Sequence, residues 1–257
     1  MLNFRNTNIV FITLLILLIW LDVQSDISTW YYVSLVFVYS LILFWGCYYV
    51  GSGFFIKIVC KANTDKKEIA ISFDDGPAEN FTPGILALLK KNNIEAAFFC
   101  IGNRIKGNEN LLKQVHEQGH IIGNHSYSHH ALFDLFSAKK ITADLRMMDE
   151  ETVKALGLKS KLFRPPYGVT NPNVKKAIIN GNYIPVGWSI RSLDTVIKDE
   201  KKLFTRITRS LKPGDIVLFH DTSKTTLEIL QRFIDYVHSS GYTFVRLDKL
   251  LNIEPYA

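Results

Sequence analysis

Cysteine is scarce in this sequence of 257 residues: only Cys47, Cys60 and Cys100 occur, and none is spaced for pairing or for a metal knuckle. A disulfide framework is therefore excluded as what holds the fold together, and the compartment is left open. Internal repeats and low-complexity segments are missing too, so the chain is neither a solenoid nor a disordered array. No basic stretch is interleaved with aromatic residues, and the net charge of +6 thus lacks the footprint of a nucleic-acid binder. That excess fits an anionic membrane surface, an anionic substrate or a plain solvated face equally well. Charge itself is absent from Trp30 to about Ile56, a run whose only breaks are serines and glycines.

This uncharged run is long enough to cross a bilayer, and its tyrosines and tryptophans near the ends suit the two interfaces. A shorter apolar run, Ile9 to Leu21, precedes it and is ended by Asp22, Gln24, Ser25 and Asp26. The pair reads as a transmembrane helical hairpin, with helices over about 8–25 and 29–56 and residues 1–60 as a membrane anchor. A cleaved signal peptide is the alternative for the first run. Its n-region has only Arg5, no small-residue cleavage site follows, and a second apolar span comes directly after. Arg5 flanks one end of the pair, Lys57, Lys61, Lys66 and Lys67 flank the other, and the loop between is acidic. The positive-inside rule then puts both the N-terminus and the following domain in the cytoplasm.

After a linker over 61–67, a domain over 68–257 alternates strand-like and helix-like segments. Candidate strands are Ile69–Phe73, Ala96–Ile101, His120–Gly123, Lys161–Arg164, Tyr183–Trp188, Asp215–Phe219 and Thr243–Leu247. Amphipathic patterns fall between them, several opening on Pro or Asn and closing on Gly or Asn. About seven strands in βα alternation predict an α/β domain, either a parallel (β/α) barrel or a wound sheet. Residues 252–257 read as a loose tail.

Chemistry collects at the strand ends, where barrels and open α/β sheets build their sites. The stretch Ile69 to Gly76, IAISFDDG, is an alternating strand that ends on two adjacent carboxylates, Asp74 and Asp75. Paired carboxylates repel and are costly to bury, so a cation is expected nearby, although Asp-Asp-Gly is also ordinary turn chemistry. The third strand runs into Asn124-His125-Ser126-Tyr127-Ser128-His129-His130. If that segment coils, His125 and either His129 or His130 can converge with an aspartate on one ion and leave positions open for water. The fourth strand ends in Arg164-Pro165-Pro166-Tyr167-Gly168, the fifth in Trp188-Ser189-Ile190-Arg191-Ser192-Leu193-Asp194 and the sixth in Leu218-Phe219-His220-Asp221. An arginine can neutralise a nearby carboxylate, prolines stiffen the turn after it, and a histidine on the same rim can act as an acid.

Taken in order, ISFDDGP, HSYSH, RPPYG, WSIRSLD and LFHD resemble the five motifs of the NodB-type polysaccharide deacetylases, carbohydrate esterase family 4. The likeness runs from about Glu68 to Leu250 and leaves the apolar hairpin outside it. It implies a distorted (β/α) barrel of about seven parallel strands that removes N-acetyl groups from sugars. By the same resemblance Asp74 would be the catalytic base, while Asp75, His125 and His129 would bind a divalent metal, usually zinc, with cobalt, nickel or manganese as alternatives. Arg164 would orient the base, the backbone N–H of Tyr167 would bind the oxyanion, and His220 would be the general acid, supported by Asp194. Leu218 would line the pocket for the acetyl methyl, with Trp188 beside it in the substrate pocket. The fourth motif departs from the family pattern, because Arg191 stands where an aspartate is usual and Thr195 where a tryptophan is usual.

The expected function is a membrane-anchored, metal-dependent N-deacetylase of N-acetylhexosamine units in peptidoglycan, chitooligosaccharide or another polysaccharide, working as a monomer and without nucleic acid. A second expectation keeps the chemistry and moves it to a lipid-linked sugar at the membrane face. A third is a catalytically silent glycan-binding or scaffold module, which loss of an acid, base or ligand position would favour; every such position is present. A glycan substrate suggests an extracytoplasmic domain, in tension with the charge bias.

Overall fold

In a computed structural model, which describes residues 2–257, two apolar helices come first: α1, Phe4–Ser25, and α2, Trp30–Tyr48. Both are long and apolar enough to cross a membrane by length and composition. They lie antiparallel, tied by the Tyr39 hydroxyl donating to Asn8 Oδ1 at 2.6 Å and by Phe11 stacking on Tyr39. The second helix stops at Tyr48 instead of continuing to Ile56. Gly51 and Gly53 follow soon after and cost helical backbone more entropy than other residues. Beyond them Phe54, Phe55 and Ile58 turn inward and are buried.

The rest of the chain alternates strand and helix: β1 (Glu68–Asp74), α3 (Thr82–Lys91), β2 (Ala97–Cys100), α4 (Gly102–Ile105), α5 (Glu109–Glu117), β3 (Ile121–Asn124) and α6 (Ala138–Leu156). There follow β4 (Leu162–Phe163), α7 (Pro172–Asn180), β5 (Ile184–Pro185), β6 (Ile190–Arg191), α8 (Glu200–Thr208), β7 (Ile216–His220), α9 (Lys224–Ser239), β8 (Thr243–Phe244) and α10 (Leu247–Leu251). Seven parallel strands form the path β5-β4-β3-β2-β1-β7-β6, and β8 pairs with β1 off that path. The result is a half-barrel, the expected α/β architecture.

Alternation along β1 shows how the sequence builds two layers. Ile69, Ile71 and Phe73 join the core between the sheet and helices α3 and α9, while Ala70 points into the barrel with Phe99, Ile121, Leu162, Val186 and Ile216. The barrel interior is therefore apolar at its base. At its top the same face carries Ser72 and Asp74, so the polar chemistry is confined to the C-terminal rim.

Three expectations are corrected. The single strand expected over Tyr183–Trp188 shrinks to β5, Ile184–Pro185, and a separate short strand, β6, follows at Ile190–Arg191; the two do not pair with each other. The seam between them is filled by the segment just before the sheet: Val59 bridges Val186 in parallel and Lys61 bridges Asp215 in antiparallel fashion. The stretch read as the start of a linker is thus stitched into the barrel, with Ala62 buried. Nor is the C-terminal tail loose, because Tyr256 bridges Ser160 and its hydroxyl accepts from Ile122 N at 2.9 Å.

Candidate active site

Register sets the site. Asp74 at the end of β1 lies opposite Phe99 of β2 and His220 of β7, and Asn124 at the end of β3 lies opposite Phe163 of β4. The residues after these ends, Asp75, His125 and Arg164, therefore emerge at one level. Consecutive strand residues normally point to opposite faces. Asp75 escapes this because its backbone is left-handed, with φ 79°, and both aspartates end up beside the same imidazole. His125 Nε2 is 3.8 Å from Asp74 Oδ2 and 3.6 Å from Asp75 Oδ1. The following Gly76 is required by close approach, since a Cβ there would sit 1.9 Å from Asp221 Oδ2.

Asp75, His125 and His129 form a metal-competent group, with one ligand atom from each lying within 4.8 Å of the others. His129 Nε2 is 3.4 Å from Asp75 Oδ1. A tetrahedral ion with bonds of about 2.0–2.1 Å holds its ligands roughly 3.4 Å apart, so these separations fit. Asp75 Oδ1 is buried and accepts no hydrogen bond. His125 Nδ1 faces the Arg164 carbonyl at 2.8 Å, to which it can only donate, and this turns the Nε2 lone pair toward the group. Burial, then the neighbouring His125, push His129 down to about 4, which keeps it a neutral imidazole as a ligand must be. His130 turns elsewhere: its Nδ1 accepts from Leu132 N and its ring packs on Phe136. The loop coils through left-handed Ser126 and His129 and is clamped by Asp144 of α6, whose Oδ1 accepts from Tyr127 N at 2.7 Å and Ser128 N at 3.3 Å.

Arg164 is fully buried. Its Nη1 donates to Asp74 Oδ1 at 2.6 Å and to Ser72 Oγ at 2.9 Å, Nη2 to the Gly187 carbonyl at 2.8 Å, and Nε to the Val186 carbonyl at 3.2 Å. Phe99 lies under the guanidinium at 4.0 Å and Trp188 at 5.7 Å. This charge is the cation the aspartate pair required inside the protein. Across the rim, His220 Nδ1 is 2.7 Å from Asp194 Oδ1, and Asp194 Oδ2 accepts from His220 N at 2.7 Å and from the Thr226 hydroxyl. Ser192 Oγ donates to Asp194 Oδ1 at 2.8 Å. Burial works to lower His220, yet the hydrogen bond and charge of Asp194, with Asp74 and Asp75 behind, raise it above the ordinary imidazole value. For Asp194 burial works upward, and His220 and its hydroxyl donors bring it below the usual carboxylate range.

The remaining expected positions are close by. Leu218 is buried on the strand face of Ser72 and His220, opposite the core residues Val217 and Phe219. Trp188 packs its ring against Gly168 and lies between Arg164 and Arg191, with Arg191 at 5.5 Å. Tyr167 is left-handed, at φ 59°, and its exposed ring meets His129 edge-on at 4.8 Å. Asp144, Ser192, Ser223 and Thr226 were not singled out by sequence reasoning; Asp144, Thr226 and Ser223 act on partners distant in the chain, Ser223 Oγ by donating to the Asp194 carbonyl at 3.0 Å, and Ser192 acts from two residues before Asp194. Asp221 went unnoticed as well: buried beside Thr82, it is pushed up to about 7 by that burial.

Comparison with known proteins agrees with this geometry. The model of the family described as "Polysaccharide deacetylase" matches residues 61–184. The peptidoglycan-N-acetylmuramic acid deacetylase PdaA of Bacillus subtilis is 35% identical over 193 residues, covering 74% of this chain and 73% of that one. The chain belongs to the polysaccharide deacetylase family. Among solved structures, the Bc1960 peptidoglycan N-acetylglucosamine deacetylase superposes with a TM-score of 0.73 at 27% identity, covering 78% of this chain and 95% of its own. A pseudoenzyme of carbohydrate esterase family 4 from Bacillus anthracis reaches a TM-score of 0.69 at 26% identity, covering 74% and 67%. As a polysaccharide deacetylase the chain has hydrolysis of N-acetyl groups on a glycan as its reaction class, and Asp75, His125 and His129 are its metal-competent group.

Proposed function

We propose that this chain is a zinc-dependent N-deacetylase of N-acetylhexosamine units in peptidoglycan, anchored in the membrane by residues 1–60 with its catalytic domain over 68–257 on the outer face. One observation carries the reading: an arginine-held carboxylate, Asp74, and an aspartate-held imidazole, His220, flank a single Asp/His/His group. That is the constellation a deacetylase needs, a base on one side and an acid on the other. PdaA and Bc1960, which act on the two sugars of peptidoglycan by their names, support the polymer; its place outside the cell membrane favours the outer face over the charge bias.

A divalent ion bound by Asp75, His125 and His129 would act as a Lewis acid on the amide carbonyl and make water more acidic. Asp74 has one oxygen committed to Arg164 and the other facing the group, so it can take a proton as general base. The left-handed turn at Tyr167, closed by Gly168 N donating to Pro165 O at 3.0 Å, presents a backbone N–H for the oxyanion. With Nδ1 fixed on Asp194, His220 has Nε2 left to protonate the departing amine. Leu218 supplies an apolar wall for the acetyl methyl, and Trp188 bounds the pocket beside Arg164. Acetate and a free amino sugar result.

A second reading, a lipid-linked sugar as substrate, is favoured by one observation. The end of α2 abuts the rim, with Thr170 N donating to Cys47 O at 3.0 Å and Val50 packed over Gly168. A silent module like the B. anthracis relative is disfavoured because base, acid and ligand positions are all present and assembled.

The test is acetate release by the full chain on peptidoglycan and on a lipid-linked N-acetylated sugar, before and after chelation, with bound metal measured alongside. Chelation should abolish release. Asp74→Asn should cost about 10²–10⁴-fold while keeping the metal, and His125→Ala should lose it. Release that survives complete metal removal would sink the proposal.

A further inference from the structure

Where the hairpin meets the domain, the N-terminal end of α1 is fixed by Phe4 N donating to the Phe54 carbonyl at 3.0 Å and by Phe4 packing on Phe55 at 5.1 Å. Beside this joint lies a cavity of about 570 Å³, lined by none of Asp75, His125 and His129 and formed by the first turn of α1, residues 53–57 and one side of α7. Four cations line it: Arg5, Lys57, Lys175 and Lys176. No carboxylate lines it, and among the described residues none of the four makes an ion pair. The rest of the wall includes Phe4 and Ile179, the latter 61% exposed.

Four like charges around one cavity repel, and an anion placed among them relieves all of them at once. The apolar wall says what else that anion bears. A free inorganic ion has no use for Phe4 and an exposed Ile179, whereas a phospholipid has glycerol and acyl carbons next to its phosphate. Both apolar helices end at this joint, so the cavity sits at the depth where headgroups lie if the hairpin spans a bilayer. We propose that this cavity binds the phosphate headgroup of an anionic phospholipid, clamping the domain to the membrane surface. The inference rests on the membrane reading of the hairpin. It also gives two of the flanking cations, Arg5 and Lys57, a role besides setting orientation.

Native mass spectrometry of the detergent-solubilised full chain, titrated with phosphatidylglycerol or phosphatidylcholine, tests it. The unmodified protein should retain phosphatidylglycerol at least about 25-fold more than phosphatidylcholine, two of the four cations at roughly fivefold each being enough for that. Lys57→Gln combined with Lys175→Gln and Lys176→Gln should cut the preference to the roughly fivefold or less that Arg5 alone can supply. The same charge loss on α8 and just after it, at Lys201, Lys202 and Arg209, should leave the preference intact. Inorganic phosphate at millimolar concentration should not displace the lipid. Parity in the unmodified protein, a preference undiminished in the cavity triple, or displacement by inorganic phosphate would each overturn the site. Carbonate extraction of membranes separates the two levels: protein that stays in the pellet without lipid preference defeats the cavity alone, and protein released by carbonate defeats the hairpin reading with it.

Discussion

At the scale of single residues, the site depends on how each charge is held. Asp194 and His220 shift each other in opposite directions, and the imidazolium persists above the ordinary histidine value. A raised histidine adds stability below its unfolded value and loses it as pH rises through the folded one. A lowered aspartate adds stability above its unfolded value and loses it as pH falls through the folded one. The pair is therefore strongest between those limits, where a general acid is needed. Asp194→Asn should move the alkaline limb of kcat/KM to lower pH and leave metal content unchanged, which a pH-rate series with metal analysis reads directly. An unmoved limb would remove His220 from the role of acid. The chemistry-bearing residues were legible in the sequence because each follows an apolar run that declares itself a strand. What fixes them was not: Asp144 clamps the histidine loop through backbone N–H groups, and Thr226 reaches Asp194 from another helix, and neither relation leaves a local pattern.

Elements show the same division. β1 could be read to within one residue at each end, since Ile69, Ile71 and Phe73 alternate and Gly76-Pro77 ends it. The early end of β5 could not be read, because Tyr183 to Trp188 carries no charge and the break at Val186 reflects the intrusion of Val59 from far upstream. The connection from β1 to α3 is the most constrained. It passes over buried Asp221, which accepts from Thr82 at 2.7 Å, and leaves no room for a Cβ at Gly76. Gly76→Ala must displace the turn or the carboxylate and should destabilise by about 1–3 kcal/mol. Activity should fall further than stability, because Asp75 is the adjacent residue. Thermal melts and acetate release on the same preparation check this, and a variant with unchanged melting and turnover would show that the contact yields easily.

For the whole molecule, the division into anchor, linker and domain was only partly visible, since hydropathy marks what avoids water and not what it packs against. Residues 49–56 look like the end of a membrane span and 61–62 like the start of a linker, yet Val50, Phe54, Phe55, Ile58 and Ala62 are buried at the hairpin root or in the barrel seam. A chain beginning at Tyr49 should therefore stay folded, while one beginning at Asn63 should melt lower by roughly 10 °C, the seam being empty. Equal melting temperatures would show that the seam segment is ornamental. The barrel is closed at a second place by an unexpected group. Ile184 N donates to Lys161 O, Val186 N donates to Phe163 O, and the next ladder donor would be residue 165, a proline with no N–H. Arg164 Nε supplies the missing donor to the Val186 carbonyl. One guanidinium thus acts as a rung of the sheet and as the counterion of Asp74, so the architecture and the acidity of the site cannot vary independently. A lysine in its place would keep the charge and lose the rung.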